Sequence, residues 1–591
     1  MRRENLLPSK EDLRSLSQVV LGTKKPDLVI VGGDVFIPYV KKFLTRDIWI
    51  YKNWVAALTS PKPLHYYRGI NIIDARAKKV VPGLIDGHIH VESTLLNPIE
   101  FARLAAVCGV TTAFTDFHEL ASVVNVAAFH HFINSIPWKL PCKLFFFFPH
   151  NLLNADRLDS ILQYEGLCEY FYQWVLEGLE DLELKMFEII LNLRKKNKLI
   201  EGHLFRVTTE LAMSLCRACG IRSDHEVRGI KEIEDKILSG FFVFLRSGTL
   251  AKEGCHLLRE CVKRGLPLDR IGLVTDDILV RDIDPQNYML KKLHDAVDQG
   301  VSLEESVNMV TYNVARHFNM DEFLGTIIPG GFADLLIIDN NFTIYEVVSA
   351  GRPLKSWNVD SIEWNCPESI LKNVITRGTV TLDRLECLVD NKLPSSNPIK
   401  NEFLVKALFF NEETRFTQLK DVKIIVDNNQ YKQIIPDDVC YIFSFDRHDS
   451  SRIGFGFIVG YNLTKGAIAT SISHDKHHIV VIGKNLYDIA VAVNKLIELN
   501  GGIVLSVNGK VIEEISLPIG GLMSLEPYEV VKNKTLRLHK RLKDLGVHWN
   551  DPIFPVFWLG MEEAPEFRIT PDGVINTINK TSVNVLIEEE Q

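Results

Sequence analysis

His88 and His90 stand two residues apart in Ile85-Asp86-Gly87-His88-Ile89-His90-Val91-Glu92-Ser93, directly after the apolar run Val80–Ile85. On a β-strand, positions i and i+2 project to the same face. Two imidazoles side by side at a strand end make half of a metal site. Ionisable residues recur at the ends of later apolar runs: Asp116, His118 and Glu119; Glu177 and Glu180; Glu201 and His203; Asp224, His225 and Glu226; Asp276 and Asp277. Burying so many such groups without partners is costly, and divalent cations would solve the problem.

Imidazole with carboxylate suits zinc, iron or manganese, with geometry choosing among them. A bound cation lowers the pKa of its water to roughly 7 and so supplies hydroxide at neutral pH. The order of the residues predicts His88 and His90 on one metal, and a carboxylate of the fourth strand bridging to a second metal held by His203 and His225. Asp276 would contact the water and shuttle its proton. Histidines without such company (His130, His131, His150 and His256) read as ordinary hydrogen-bonded residues. Glu92 and Glu119 read either as helix N-terminal carboxylates that complement the dipole or as substrate ligands. His474, Asp475, His477 and His478 form a second cluster, either a polar turn between strands or part of a binding site.

Elements that could position these groups follow from the alternation of short apolar runs with helix-length amphipathic stretches between Val80 and about Asn319. Eight strands are predicted: Val80–His88, Val110–Phe117, Leu144–His150, Trp174–Glu180, Leu199–Leu204, Ile221–His225, Phe241–Arg246 and Ile271–Asp276. Such alternation predicts an α/β fold of βαβ units with parallel strands. Eight units point to a (β/α)8 barrel with its site at the C-terminal strand ends. Residues 1–79 hold an N-terminal segment and alternating β runs, and 321–385 return to β, so one small β domain is expected from both flanks of the barrel at 80–320. A Pro/Ser/Asn-rich linker precedes an α+β domain at 400–591, with strands at Lys423–Val426, Val439–Phe445, Ile453–Val459, Ile479–Ile482 and Gly502–Val507.

The chain has 591 residues, too many for one ordinary domain. With 46% hydrophobic and 24% charged residues it has an ordinary globular composition. The net charge of −8 shows no basic excess, so nucleic acid is not an expected partner. No signal peptide is read at Met1-Arg2-Arg3-Glu4-Asn5, and no apolar run is long enough to span a bilayer. Ten cysteines without framework spacing fit reduced thiols and a cytoplasmic location. The lone pair Cys216 and Cys219 reads as structural. A homodimer is the default expectation, because two-fold association is commonest.

Val81-Pro82-Gly83-Leu84-Ile85-Asp86-Gly87-His88-Ile89-His90 resembles the first-strand motif of the amidohydrolase superfamily. Glu92-Ser93-Thr94, Asp116-Phe117-His118-Glu119-Leu120-Ala121, Ser223-Asp224-His225-Glu226 and Thr275-Asp276-Asp277 resemble adenine deaminases in particular. So do Gly454–Gly460, Ser473-His474-Asp475-Lys476-His477-His478 and Leu517–Ser524 in the C-terminal region. The resemblance implies hydrolytic deamination of adenine to hypoxanthine and ammonia with two divalent ions, manganese or iron ahead of zinc. Carried over by position, it implies His88, His90, Glu180, His203, His225 and Asp276 as metal ligands, with Glu177 the alternative to Glu180. It implies Asp276 and Glu119 as catalytic groups, and Glu92, His118, Glu119 and His474 toward the purine.

Two loops depart from the family pattern: Phe148-Pro149-His150-Asn151 after the third strand and His203-Leu204-Phe205 after the fifth. These departures keep two other readings open. One is an amidohydrolase for another aminopurine or a cyclic amide, and the other is a non-catalytic metal-binding scaffold.

Overall fold

The apolar run beginning at Val80 does not build one strand in the computed structural model of this chain, which describes residues 3–152, 158–171, 184–358, 362–372, 374–392, 402–427 and 432–587. The chain divides into two compact units. The first holds Met1–Val91, Pro98–Phe117 and Ile133–Asn365; the second holds Glu92–Asn97, His118–Phe132 and Cys366–Gln591.

In the first unit, β1 (Leu28–Ile37), β2 (Lys42–Tyr51) and β3 (Trp54–Thr59) form an antiparallel meander, and β4 (Asn71–Asp74) and β5 (Lys79–Pro82) join β1 in parallel. Leu335–Ile338 pairs antiparallel with β5, and Ile344–Ser349 and Arg352–Pro353 extend the sheet outward. The two flanks of the sequence therefore share one sheet. At Gly83 the chain changes partners. The Gly83 N–H donates to the Asp334 carbonyl at 2.9 Å, and the Leu84 N–H donates to that of Gly109 at 3.0 Å. A Cβ at Gly83 would lie 2.2 Å from Thr111 Oγ1, so only glycine allows this crossing. The predicted strand Val80–His88 is thus two strands in two sheets, β5 and β6 (Leu84–Asp86).

From β6 onward the strands pair in parallel: β6, β7 (Val110–Thr115) and β8 (Lys143–Phe146); β9 (Phe148–Pro149), β10 (Gly166–Phe171) and β11 (Leu199–His203); β12 (Ser223–Asp224), β13 (Phe242–Arg246) and β14 (Ile271–Val274). Backbone bonds link these ladders: Glu165 N–H to the Phe146 carbonyl, Arg222 N–H to Ile200, and Asp276 N–H to His88, each at 2.9 Å. The predicted strand Trp174–Glu180 lies outside the described residues. β10 stands between β9 and β11 in the ladder, a strand that the sequence reading did not assign. The predicted strand Leu144–His150 is divided between β8 and β9, and the other predicted strands of this series appear in shortened form.

These strands read as near-continuous apolar runs because parallel sheets are covered on both faces. Phe114, Phe145, Phe147, Phe244 and Phe318 pack in one buried cluster, with Phe114 and Phe318 stacked at 3.8 Å between centroids. A Cβ on Gly87 would meet Phe244 at 2.8 Å, so this aromatic layer fits closely beneath the histidine segment.

The second unit carries a sheet of nine strands among the described residues. Its order is Lys432–Ile434, Thr417–Asp427, Glu402–Phe410, Ile453–Val459, Val439–Phe445, Ile479–Gly483, Ala467–Thr470, Gly502–Val507 and Lys510–Ser516. Helix Leu486–Glu498 starts on Asn485, whose side chain accepts the Asp488 N–H at 2.8 Å. Within this unit, the Ser524 N–H donates to the Leu95 carbonyl and Asn97 Nδ2 to the Ser524 carbonyl, each at 2.9 Å.

Candidate metal centre and a buried imidazole–carboxylate cluster

Residues 88–90 continue the ladder past the end of β6. The Ile89 N–H donates to the Phe114 carbonyl at 3.2 Å, and the His88 carbonyl accepts the Asp276 N–H. The residue before Asp276 is tied to the same strand. Thr275 donates from its backbone and its hydroxyl to the buried carboxylate of Asp86, which also accepts from the Tyr288 hydroxyl at 3.0 Å. Burial pushes the Asp86 carboxyl up, against the pull of Thr275 and Lys292. Asp86 thus clamps the first strand to the last, below the residues that face the site.

The imidazoles of His88 and His90 lie 4.8 Å apart, nearly perpendicular. Asp276 Oδ1 is 3.4 Å from His88 Nε2 and 3.1 Å from His90 Nε2. On its far side, His90 Nδ1 faces Asp116 Oδ1 at 3.3 Å. A carboxylate there orients the ring and leaves Nε2 as the ligating atom. His225 stacks on His88 at 4.0 Å, and its Nε2 is 3.2 Å from His203 Nδ1. His203 Nε2 lies 3.7 Å from Glu226 Oε1. Two groups of donors each fall within 4.8 Å: His88, His225 and Asp276, and His203, His225 and Glu226. Of the residues predicted as ligands, the fold brings together His88, His90, His203, His225 and Asp276. Glu177 and Glu180 lie outside the described residues.

Glu226, which the sequence counts among the strand-end ionisable groups without giving it a role, and Arg246, which it does not mark, belong to this site. Arg246, at the end of β13, donates from Nη1 to Asp276 Oδ2 at 2.7 Å and from Nη2 to Glu226 Oε2 at 2.8 Å; Nη1 also contacts Glu226 Oε1. Burial alone would raise the Asp276 carboxyl, but the Arg246 guanidinium and the two imidazoles hold it well below the usual carboxylate range. Glu226 is lowered against burial by Arg246, His203 and His225. Both carboxylates are ionised. The available signal was an arginine closing a wholly buried apolar strand, Phe242–Arg246, which needs an anionic partner.

The residues predicted to face substrate lie in the second unit. Glu119 is 2% exposed. Its Oε1 contacts His474 Nδ1 and lies 3.5 Å from His118 Nε2. Its Oε2 contacts His477 Nε2 and accepts the Asp475 N–H at 3.0 Å. Burial opposes ionisation of Glu119, and the imidazoles of His474, His477 and His118 overcome it. Glu92 Oε1 accepts the Glu119 N–H at 3.2 Å, at the first turn of helix His118–Val123, the helix-start role weighed for it above. Residues 474–478 do form a turn, with positive φ at Asp475 and His477, but it buries His474 and His477 against Glu119. His478 points elsewhere, 4.0 Å from Asp446, and burial pushes its imidazole down to about 4.

Sequence comparison adds an independent line. The adenine deaminase C-terminal domain matches residues 414–581, and the amidohydrolase family matches residues 243–354. The chain is 30% identical to the adenine deaminase of Thermosipho melanesiensis, over 98% of this chain and 100% of that one. It is 29% identical to the adenine deaminase of Bacillus subtilis, over 96% and 98% respectively. Among solved structures, the β-aspartyl dipeptidase of Fervidobacterium islandicum aligns with 55% of this chain and 95% of its own at 16% identity, with a TM-score of 0.43.

Proposed function

Because the chain belongs to the adenine deaminase family, we propose that its reaction, hydrolytic deamination of adenine to hypoxanthine and ammonia, is carried by the centre around His88, His90, His203, His225 and Asp276. The observation that supports this most is the convergence of four imidazoles and an ionised aspartate from segments nearly 190 residues apart, each within short reach of at least one other. The donor set fits divalent cations. His88 and His90 would hold one and His203 and His225 a second, with manganese or iron the expected metals. Bound there, such ions would supply hydroxide at neutral pH and would offset the negative charge that the purine ring takes up as C6 is attacked. Asp276 accepts the proton of the attacking water on Oδ1, the oxygen that faces the imidazoles, and delivers it to the departing amine. Asp116 keeps His90 in its ligating tautomer.

As the bridging carboxylate we propose Glu180, with Glu177 the alternative and Glu169 a third candidate. Glu169 stands on β10, the strand between β9 and β11. His118 and His474, held by Glu119, supply polar groups for the purine ring, and Glu92 fixes the start of the helix that carries His118 and Glu119. The architecture we infer is a (β/α)8 barrel over 80–320. The bonds that link the three parallel ladders, including Asp276 to His88, support closure. A composite β domain and a C-terminal α+β domain complete the chain.

The ten cysteines stand as thiols, in keeping with a reducing cytoplasm. No described helix is long and apolar enough to cross a membrane. We keep the homodimer as the expected state, to be checked by light scattering.

The test is ammonia release from adenine by metal-loaded protein. Chelation should abolish it and manganese should restore it. His88→Ala with full activity would refute the centre. A substrate panel, in which another aminopurine outpaced adenine, would refute the choice of substrate.

A further inference from the structure

We propose that Arg246 is a positioning residue that decides which oxygen of Asp276 faces the reacting centre, with Glu226 as its anchor. The inference rests on the reading of His88, His90, His203, His225 and Asp276 as the metal centre.

The backbone of Asp276 is already fixed. Its N–H is bonded to the His88 carbonyl at 2.9 Å, and its φ of 64° lies in the left-handed region, which aspartate tolerates better than most residues. Its carboxylate is not fixed by that. The terminal torsion of an aspartate is broad and two-fold, so either oxygen could face His88 and His90, or both could engage a cation together. A proton shuttle needs one oxygen directed at the water and kept there, because small misplacements of a catalytic group cost large factors in rate.

Arg246 removes the ambiguity. Its Nη1 holds Oδ2 at 2.7 Å, and Oδ1 is left 3.1 Å from His90 Nε2 and 3.4 Å from His88 Nε2. A guanidinium is a rigid planar fork, so the plane of Arg246 sets where Oδ2 must sit. That plane is itself set by Glu226, which engages both Nη atoms. All three side chains are at least nine-tenths buried, so water does not compete for these bonds. The chain of restraint runs from Glu226 to Arg246 to Asp276 Oδ2, and the working oxygen is the one left over. A lysine at 246 would keep the charge but lose the fork.

The experiment uses the full-length, manganese-loaded protein. R246Q should lower kcat about 10²-fold with KM for adenine changed less than about threefold, while metal content per chain matches the parent. Its manganese EPR spectrum should change, because the carboxylate beside the metal is free to turn. R246K should recover only part of the loss. E226Q, which loosens the anchor but leaves Arg246 in place, should fall between R246Q and the parent. On a D276N background, R246Q should cost less than about threefold more, because groups acting through one another are non-additive. Unchanged kcat and EPR spectrum in R246Q, full recovery with lysine, or costs that multiply with those of D276N would each overturn the proposal. If R246Q does not fold, R246K and E226Q carry the same comparison. A parent protein that binds no divalent metal would instead overturn the reading of the centre itself.

Discussion

Replacing Lys236 with methionine tests whether the strand ends that carry His203 and His225 are held by a buried ion pair. The side chains of Lys236 and Asp224 are both fully buried. Lys236 Nζ bonds Asp224 Oδ2 at 2.5 Å and Glu232 Oε1 at 2.6 Å, and Asp224 Oδ1 accepts the Leu204 N–H at 2.7 Å. Asp224 therefore ties the residue after His203 to the strand that ends at His225. Burial would lower the Lys236 ammonium, but the charges of Asp224 and Glu232 raise it above its usual range. Asp224 is held low by Lys236 and His225, against burial. Removing one partner of such a pair leaves a buried charge uncompensated, which typically costs about 3–5 kcal/mol. Methionine fills similar volume, so the cavity contribution is small. We expect K236M to lose about 3–5 kcal/mol in urea unfolding at pH 7.5.

The sign with pH follows from Asp224. In the parent its folded pKa lies below the unfolded value, so its contribution is present above that unfolded value and is lost as pH falls through the folded one. In K236M, burial without the ammonium raises the folded pKa above the unfolded value. The deficit should then be largest at neutral pH and shrink toward pH 5. The double variant K236M/D224N, which removes both charges, should recover most of the loss. A K236M protein within about 1 kcal/mol of the parent at pH 7.5, or a deficit that grows on acidification, would refute this account.

Three further outcomes are expected. D276N should lower kcat by about 10²–10⁴-fold, the usual range for a lost acid/base group, with metal content unchanged. If Glu180 bridges the metals, E180Q should lose metal, measured by elemental analysis of the desalted protein, while E169Q keeps it; the reverse result would move the role to Glu169. E119Q should release His474 and His477 from their shared acceptor and lower kcat/KM for adenine by about tenfold or more, the effect of a lost charge-assisted hydrogen bond of about 1.5–3 kcal/mol, without loss of metal. An unchanged kcat/KM would remove Glu119 from the substrate-handling groups.

Residue type and spacing were enough to point to half of the proposed metal centre. The pair His88 and His90 carries its geometry locally, because i and i+2 share a face wherever the strand runs. The alternation of apolar runs and amphipathic stretches likewise announced parallel strands. Three features depended on partners distant in the chain. Val80–Ile85 is uniformly apolar, and nothing in that pattern says that Gly83 packs against Thr111 and hands the chain from one sheet to another. Gly166–Phe171 is a strand because β9 and β11 flank it, whereas the sequence reading took the neighbouring Trp174–Glu180, which carries Glu177 and Glu180.

Glu226 stood among the strand-end ionisable groups without a role, and Arg246 only closed a predicted strand. Only the fold brings them together with Asp276, which lies 30 residues beyond Arg246. Hydrophobic periodicity is a short-range property that the chain states residue by residue. The choice of hydrogen-bonding neighbour for a strand, and of counter-ion for a buried charge, is made by elements far away in sequence, and so it belongs to the tertiary structure.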